Sequence, residues 1–180
     1  MIKINMGCGK RNFGSDWVHI DGGNHEHLDF KDVTKLEFDN SSVDLIYASH
    51  LLAYFDREEV ASLLEEWTRV LKPGGILRIA VPDFQAMVNL YNSGGFLLNS
   101  FLGPLYGKMD MGDKKIYHKT TYDFNSLRDV LFAAGFEDVK RYDWKGTEHS
   151  HIDDHSQAYL PHMDKESGIL ISLNVEGVKR

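Results

Sequence analysis

Gly7-Cys8-Gly9 follows directly on an alternating run, residues 2–6, that reads as a short strand. Residues without side chains at the carboxyl end of a strand let a ligand approach the backbone. A second extended run, Trp17-Val18-His19-Ile20-Asp21, stops at Gly22-Gly23. It leaves Asp21 where a carboxylate can accept hydrogen bonds from the two hydroxyls of a ribose. An ordinary turn accounts for either feature alone, whereas the two in register are the arrangement that holds an adenosine. Two histidines have types and places suited to moving a proton, His118 first and His50 second. Imidazole titrates near neutral pH, although a hydrogen-bonded structural role is the commoner use of such residues.

The elements that must position these residues follow from periodicity. Val43-Asp44-Leu45-Ile46-Tyr47-Ala48 is apolar and of strand length, and is followed by Ser49-His50. His27 to Phe30 is a weak further strand. From Asp56 to Lys72, Val60, Leu63, Leu64, Trp67, Val70 and Leu71 share one helical face, and Asp56 with Glu59 makes a capping box. Lys72-Pro73-Gly74-Gly75 reads as the stop before a strand from Ile76 to Val81. Pro82-Asp83 ends that strand, and a helix follows to about Asn92. Gly94 to Lys115 then reads as an irregular lid or insertion, spanning about 94–116. Asp123 caps a helix that ends at Gly135, and Phe136 to Trp144 and Ile169 to Val175 read as strands, with Glu176 to Arg180 as a charged tail. This pattern gives an α/β fold of Rossmann type: a mostly parallel sheet, helices on both faces and an antiparallel C-terminal edge, within one domain over residues 1–180.

Only seven residues separate Gly9 from Trp17, fewer than the dozen or so that a crossover helix needs. The helix N-terminus and third glycine that would hold a dinucleotide pyrophosphate are therefore not evident. S-adenosylmethionine carries no phosphate and suits such a site. The chain resembles the class I S-adenosylmethionine-dependent methyltransferases, particularly the small bacterial type 11. Asn5-Met6-Gly7-Cys8-Gly9 is similar to their first motif, Ile20-Asp21 to the ribose-binding acid, and residues 32–38 to the adenine-binding segment. Residues 39–46 followed by Arg69-Val70-Leu71-Lys72-Pro73-Gly74-Gly75 are similar to the fourth and fifth strand region, and residues 124–136 to the late helix and turn. The resemblance implies that Gly7, Cys8 and Gly9 line the methionine end and Asp21 binds the ribose. Asp32 and Val33 would meet the adenine edge, and Ser49 and His50 would lie beside the sulfonium, with Met6 and Gly22 also counted as cofactor-binding. Ala53-Tyr54 departs from the Glu-His pair common in relatives, and the helices that usually precede the first strand are missing.

The implied reaction is methyl transfer to a small-molecule or glycan-like acceptor, with positioning supplying much of the rate. His118 or His50 would act as base if the acceptor is a hydroxyl. Asp83 could orient the acceptor, with a helix N-cap as its competing role. A non-catalytic regulatory or assembly module with the same fold is the alternative. A metal-dependent hydrolase is the remote third reading, because His149-Ser150-His151-Ile152-Asp153-Asp154-His155 resembles the metal motif of metallo-β-lactamase-fold hydrolases except for one extra aspartate. A solvated or acceptor-contacting loop competes with it, and no metal ligand is assigned. A formal net charge of -7 argues against nucleic-acid partners. The single cysteine and the lack of a long apolar run point to a cytoplasmic protein without membrane contact. Phe96, Phe101, Tyr106, Met109 and Met111 fit core packing or the contacts of a homodimer better than an acceptor pocket.

Overall fold

The computed structural model describes residues 1–112 and 114–180. Six strands form the central sheet: β1 (Lys3–Met6), β2 (Val18–Ile20), β3 (Val43–Ser49), β4 (Leu71–Pro82), β7 (Phe136–Arg141) and β10 (Ser172–Lys179). Their order is β2-β1-β3-β4-β10-β7. β1 runs parallel to both β2 and β3, and β3 runs parallel to β4. β10 is antiparallel to both of its neighbours, β4 and β7. The chain leaves β1 toward β2 on one side and later returns to lay β3 on the other. The strand order therefore reverses at the carboxyl ends of β1 and β3, where open α/β sheets open a ligand crevice. The weak segment at residues 27–30 contributes only an isolated bridge from Phe30 to Ile20.

α1 (Arg57–Val70) starts at Asp56, which accepts hydrogen bonds from Glu58 N and Glu59 N, while the Glu59 carboxylate accepts one from Asp56 N. α4 (Phe124–Ala133) begins at Asp123 in the same way, and Gly135 takes the left-handed turn after it at φ +92°. Both helices pack on the sheet face formed by Ile4, Met6, Ile20, Ile46, Leu77, Ile79, Leu173 and Val175. The opposite face carries Asn5, Tyr47, Ser172 and Asn174, and short 3-10 turns at Trp144–Gly146 and His155–Gln157 lie in the segment that covers it. The mostly parallel sheet with helices and an antiparallel C-terminal edge is the expected architecture.

Three local expectations change. Lys72-Pro73-Gly74-Gly75 does not stand outside a strand; β4 runs from Leu71, and the extra residues form an irregularity opposite Val43–Leu45. After α2 (Phe84–Asn92), the region read as irregular holds α3 (Asn99–Tyr106) and a hairpin of β5 (Met109–Asp110) and β6 (Lys115–Ile116). The charged tail is strand to Lys179, because Glu176 pairs with Arg78 at 2.9 Å and Lys179 Nζ donates to the carbonyls of Thr68 and Leu71. A small pair, β8 (Tyr159–Leu160) and β9 (Ile169–Leu170), closes the segment before β10.

Candidate functional site

At the end of β1 the chain turns at Gly7, φ +66°, and Gly7 N donates to Ile20 O at 2.7 Å. Asp21 then ties the loops after β1 and β2 together. Its Oδ2 accepts from Gly9 N at 2.9 Å and its Oδ1 from Gly23 N at 2.7 Å. Each oxygen keeps accepting capacity, since an ionised carboxylate offers about four lone-pair sites. The two glycines have different reasons to be glycine. A Cβ at Gly7 would meet Leu51 at 2.9 Å, so Gly7 serves close packing of the loop after β3. At Gly9 only Arg11 Nη1 stands within reach of an added Cβ, at 4.0 Å.

The other expected cofactor contacts are sorted by their side chains. Met6 is fully buried in the core, and the Cys8 thiol is buried 3.8 Å from His27 Nε2, so both can offer only backbone to a ligand. Burial, then the charge of Asp21, pushes the Cys8 thiol up to about 12, leaving it protonated and inert. Gly22 is exposed beneath Met111, whose Cε would lie 3.7 Å from an added Cβ. Asp32 accepts from the hydroxyl and the amide of Thr34, bonds that lower its pKa and shape its turn. Val33 packs on the core while its carbonyl accepts from Trp67 Nε1 at 2.9 Å. At the end of β3, Ser49 Oγ is buried without a hydrogen-bond partner among the described residues.

Beside these loops opens a cavity of about 830 Å³, walled by Arg11, His50, Tyr54, Gly107, His118 and His155 among others. His50 holds φ +52°, a conformation uncommon for a residue with a side chain, and its N–H donates to Ala80 O at 2.8 Å. Its Nε2 lies 3.1 Å from Ser172 Oγ. The His118 Nδ1 lies 3.1 Å and 3.2 Å from the carbonyls of Pro104 and Leu105. Carbonyls only accept, so Nδ1 carries the proton and Nε2 keeps its lone pair. Gly107 leaves room for this ring: a Cβ there would fall 2.1 Å from His118 Nε2. Tyr54 packs edge-on against His118 at 4.6 Å and donates its hydroxyl to Gly107 O.

Burial lowers the pKa of His118. Desolvation, then the charges of His155, His118 and Arg11, holds His50 well below the usual histidine range. Both imidazoles are therefore neutral at pH 7. The ring of His50 lies 6.4 Å from that of His118 and 5.2 Å from that of His155. Sequence reasoning brought His50 and His118 to this site. It did not single out Arg11, and it read His155 only as part of a metal motif. The signal for Arg11 was its place two residues after Gly9, on the loop that meets the crevice.

The histidine-rich stretch is divided among three surroundings. His149 is buried and stacked on Phe13 at 4.3 Å, His151 is exposed, and His155 lines the cavity. Asp153 pairs with Lys165, and Asp154 is buried, accepting from Tyr47, Ser156 N and Ser156 Oγ. Among the described residues no three His, Cys, Asp or Glu side chains are grouped to hold a metal ion. Asp83 caps α2 through Ala86 N and pairs with Arg141 at 3.1 Å, a structural role. Of the lid residues, Phe101 is core, Phe96 and Met109 line the cavity, and Tyr106 is exposed.

Residues 6–79 match the family described as a methyltransferase domain. No curated protein matches the chain. Solved structures of S-adenosylmethionine-dependent methyltransferases share its fold. One from Methanosarcina mazei is 16% identical over 99% of this chain and 92% of its own, with a TM-score of 0.56. One from Archaeoglobus fulgidus is 14% identical over 99% and 86%, with a TM-score of 0.59. The Burkholderia thailandensis 1,6-didemethyltoxoflavin-N1-methyltransferase, solved with 1,6-didemethyltoxoflavin and S-adenosylhomocysteine, is 14% identical over 99% and 70%, with a TM-score of 0.57.

Proposed function

We propose that this chain, as one domain over residues 1–180, is an enzyme that transfers a methyl group from S-adenosylmethionine to a small-molecule or glycan-like acceptor. The observation that carries the reading is the Asp21 carboxylate joined to Gly9 and Gly23, at the crevice of a sheet with the methyltransferase fold. Asp21 would accept from the ribose hydroxyls, the open backbone at Gly9 would meet the amino-acid end, and Ser49 at the end of β3 would lie beside the sulfonium. Asp32 and Val33, held by their turn and by Trp67, would border the adenine. When bound, the cofactor supplies a methyl group already activated on a sulfonium.

The chain itself must hold the acceptor in line and take its proton. His118 suits the role of proton acceptor, because its Nδ1–H is engaged by two carbonyls, which leaves Nε2 as the basic atom of a residue that lines the cavity. His50, turned toward Ser172, would position the acceptor or relay the proton. A cytoplasmic setting accords with one cysteine and with no described helix being long and apolar enough to cross a membrane.

The test is transfer from methyl-labelled S-adenosylmethionine to a panel of small hydroxyl- and carboxyl-bearing sugars. Wild type should methylate at least one, and His118→Gln should lower turnover by about a hundredfold with cofactor affinity unchanged. The wild-type rate should fall only below about pH 6.5, because burial lowers the pKa of His118 and it accepts its proton below the ordinary histidine value. A His118→Gln enzyme of undiminished turnover would remove His118 from the mechanism.

A further inference from the structure

The cavity's wall carries two cationic side chains, Arg11 and Lys108, and two acidic ones, Asp153 and Asp154, on a chain whose formal net charge is -7. Arg11 reaches into it from the loop after β1. Its Nε donates to the Asp153 carbonyl at 3.0 Å and its Nη2 lies 3.5 Å from His155 Nε2. Among the described residues no carboxylate forms an ion pair with it. Lys108 stands on the same wall, likewise outside the ion pairs of the described residues. The two acids of that wall are already engaged: Asp153 with Lys165 at 2.7 Å, and Asp154 with Tyr47 and Ser156. His50, His118 and His155 add no negative charge. A guanidinium whose partners are a carbonyl and an imidazole has donors left over and a charge unmet. Its planar fork matches a carboxylate or a phosphate.

We propose that the cavity selects an anionic acceptor, a small molecule bearing a carboxylate or a phosphate that Arg11 grips while its nucleophile faces His118. This rests on the methyltransferase reading for the second half of the statement, but the anion site stands on the wall itself. A volume of about 830 Å³ suits a molecule of sugar-acid or sugar-phosphate size. Gly9 stands between the proposed cofactor loop and Arg11, whose Nη1 is 4.0 Å from where a Cβ at Gly9 would be. A competing use of Arg11 is therefore to hold the cofactor's own carboxylate.

The experiment titrates the protein, with and without S-adenosylhomocysteine, with glucuronate, glucose 6-phosphate and glucose. Calorimetry reads affinity, and the proton resonance of the His118 ring reads occupancy of the cavity. At least one of the two acids should bind at millimolar concentration and move the His118 signal, while glucose should not; which acid binds identifies the anion class. Arg11→Gln should weaken that binding by about tenfold or more, Arg11→Lys should restore part of it, and Lys108→Gln should weaken it less. S-adenosylhomocysteine affinity should stay within about twofold in all three variants. The proposal is overturned if glucose binds as well as its acids, if neither acid moves His118, or if Arg11→Gln weakens S-adenosylhomocysteine and not the acids. Failure of the wild type to bind S-adenosylhomocysteine would instead strike the cofactor reading, and acid binding by the same protein would leave the anion site in place.

Discussion

On the face turned to α1 and α4, the sheet presents Ile4, Ile46, Leu77, Ile79 and Val175 to Trp67, Leu64 and Leu131, all fully buried. On the opposite face, Tyr47 donates to Asp154, Asn174 Nδ2 to Ser156 O at 2.8 Å, and Arg78 pairs with Glu176 beneath Tyr142. The first face draws its stability from apolar burial, which is non-directional and tolerant of small shifts. The second depends on directional bonds that hold one arrangement or fail. The cavity wall is mounted on the second: Asp153 and His155, which meet Arg11, flank the buried Asp154. A surface that must present several polar groups at fixed positions is better carried by a bonded polar layer than by interchangeable hydrophobes.

Truncating each face in turn tests this contrast. The largest loss is expected from Trp67→Ala, which empties the centre of the apolar face and frees the Val33 carbonyl. Denaturant unfolding should show a destabilisation of about 4 kcal/mol. Next comes acid. His149 is buried, its Nδ1 has no hydrogen-bond partner among the described residues, and burial lowers its pKa from 6.5 to about 4. Its depressed value means that the unfolded chain takes up the proton first. Stability is then complete above about pH 6.5 and is lost as pH falls toward 4, by roughly 3 kcal/mol. His149→Phe keeps the stack on Phe13 and should flatten unfolding curves measured across that window; a slope equal to the wild type's would move the acid sensitivity elsewhere. Smaller again, Asp154→Ala should cost about 2 kcal/mol, because it leaves the buried Tyr47 hydroxyl without its acceptor. It should also shift the His155 ring resonance, which Trp67→Ala should not do while the protein stays folded.

The same contrast explains what the sequence made legible. α1 announced itself through the spacing of Val60, Leu64, Trp67 and Val70 and through Asp56 with Glu59, because one-sided burial imposes a period. The loop from Gly7 to Asp21 was legible because tight turns restrict residue type. Pro73-Gly74-Gly75 misled, since these residues mark an irregularity as readily as a stop, and pairing with β3 decided the matter. α3 was hidden by Gly103 and Pro104, which read as breakers but are accommodated in one short helix. The polar face has no period to reveal it. Tyr47 and Asp154 are separated by 107 residues and Arg11 and His155 by 144, so only the folded chain brings them together. The cavity is of the same kind, which is why two of its histidines were noticed singly and Arg11 was not.

The central claim is that the loops after β1 and β2 hold S-adenosylmethionine through Asp21. Calorimetric titration with S-adenosylmethionine, S-adenosylhomocysteine and NAD tests it most directly, with Asp21→Ala measured beside the wild type and its melting curve recorded. Wild type should bind the first two and not NAD, and Asp21→Ala should stay folded while losing about tenfold or more in affinity. No binding by a folded wild type, or equal affinity in the variant, would contradict it.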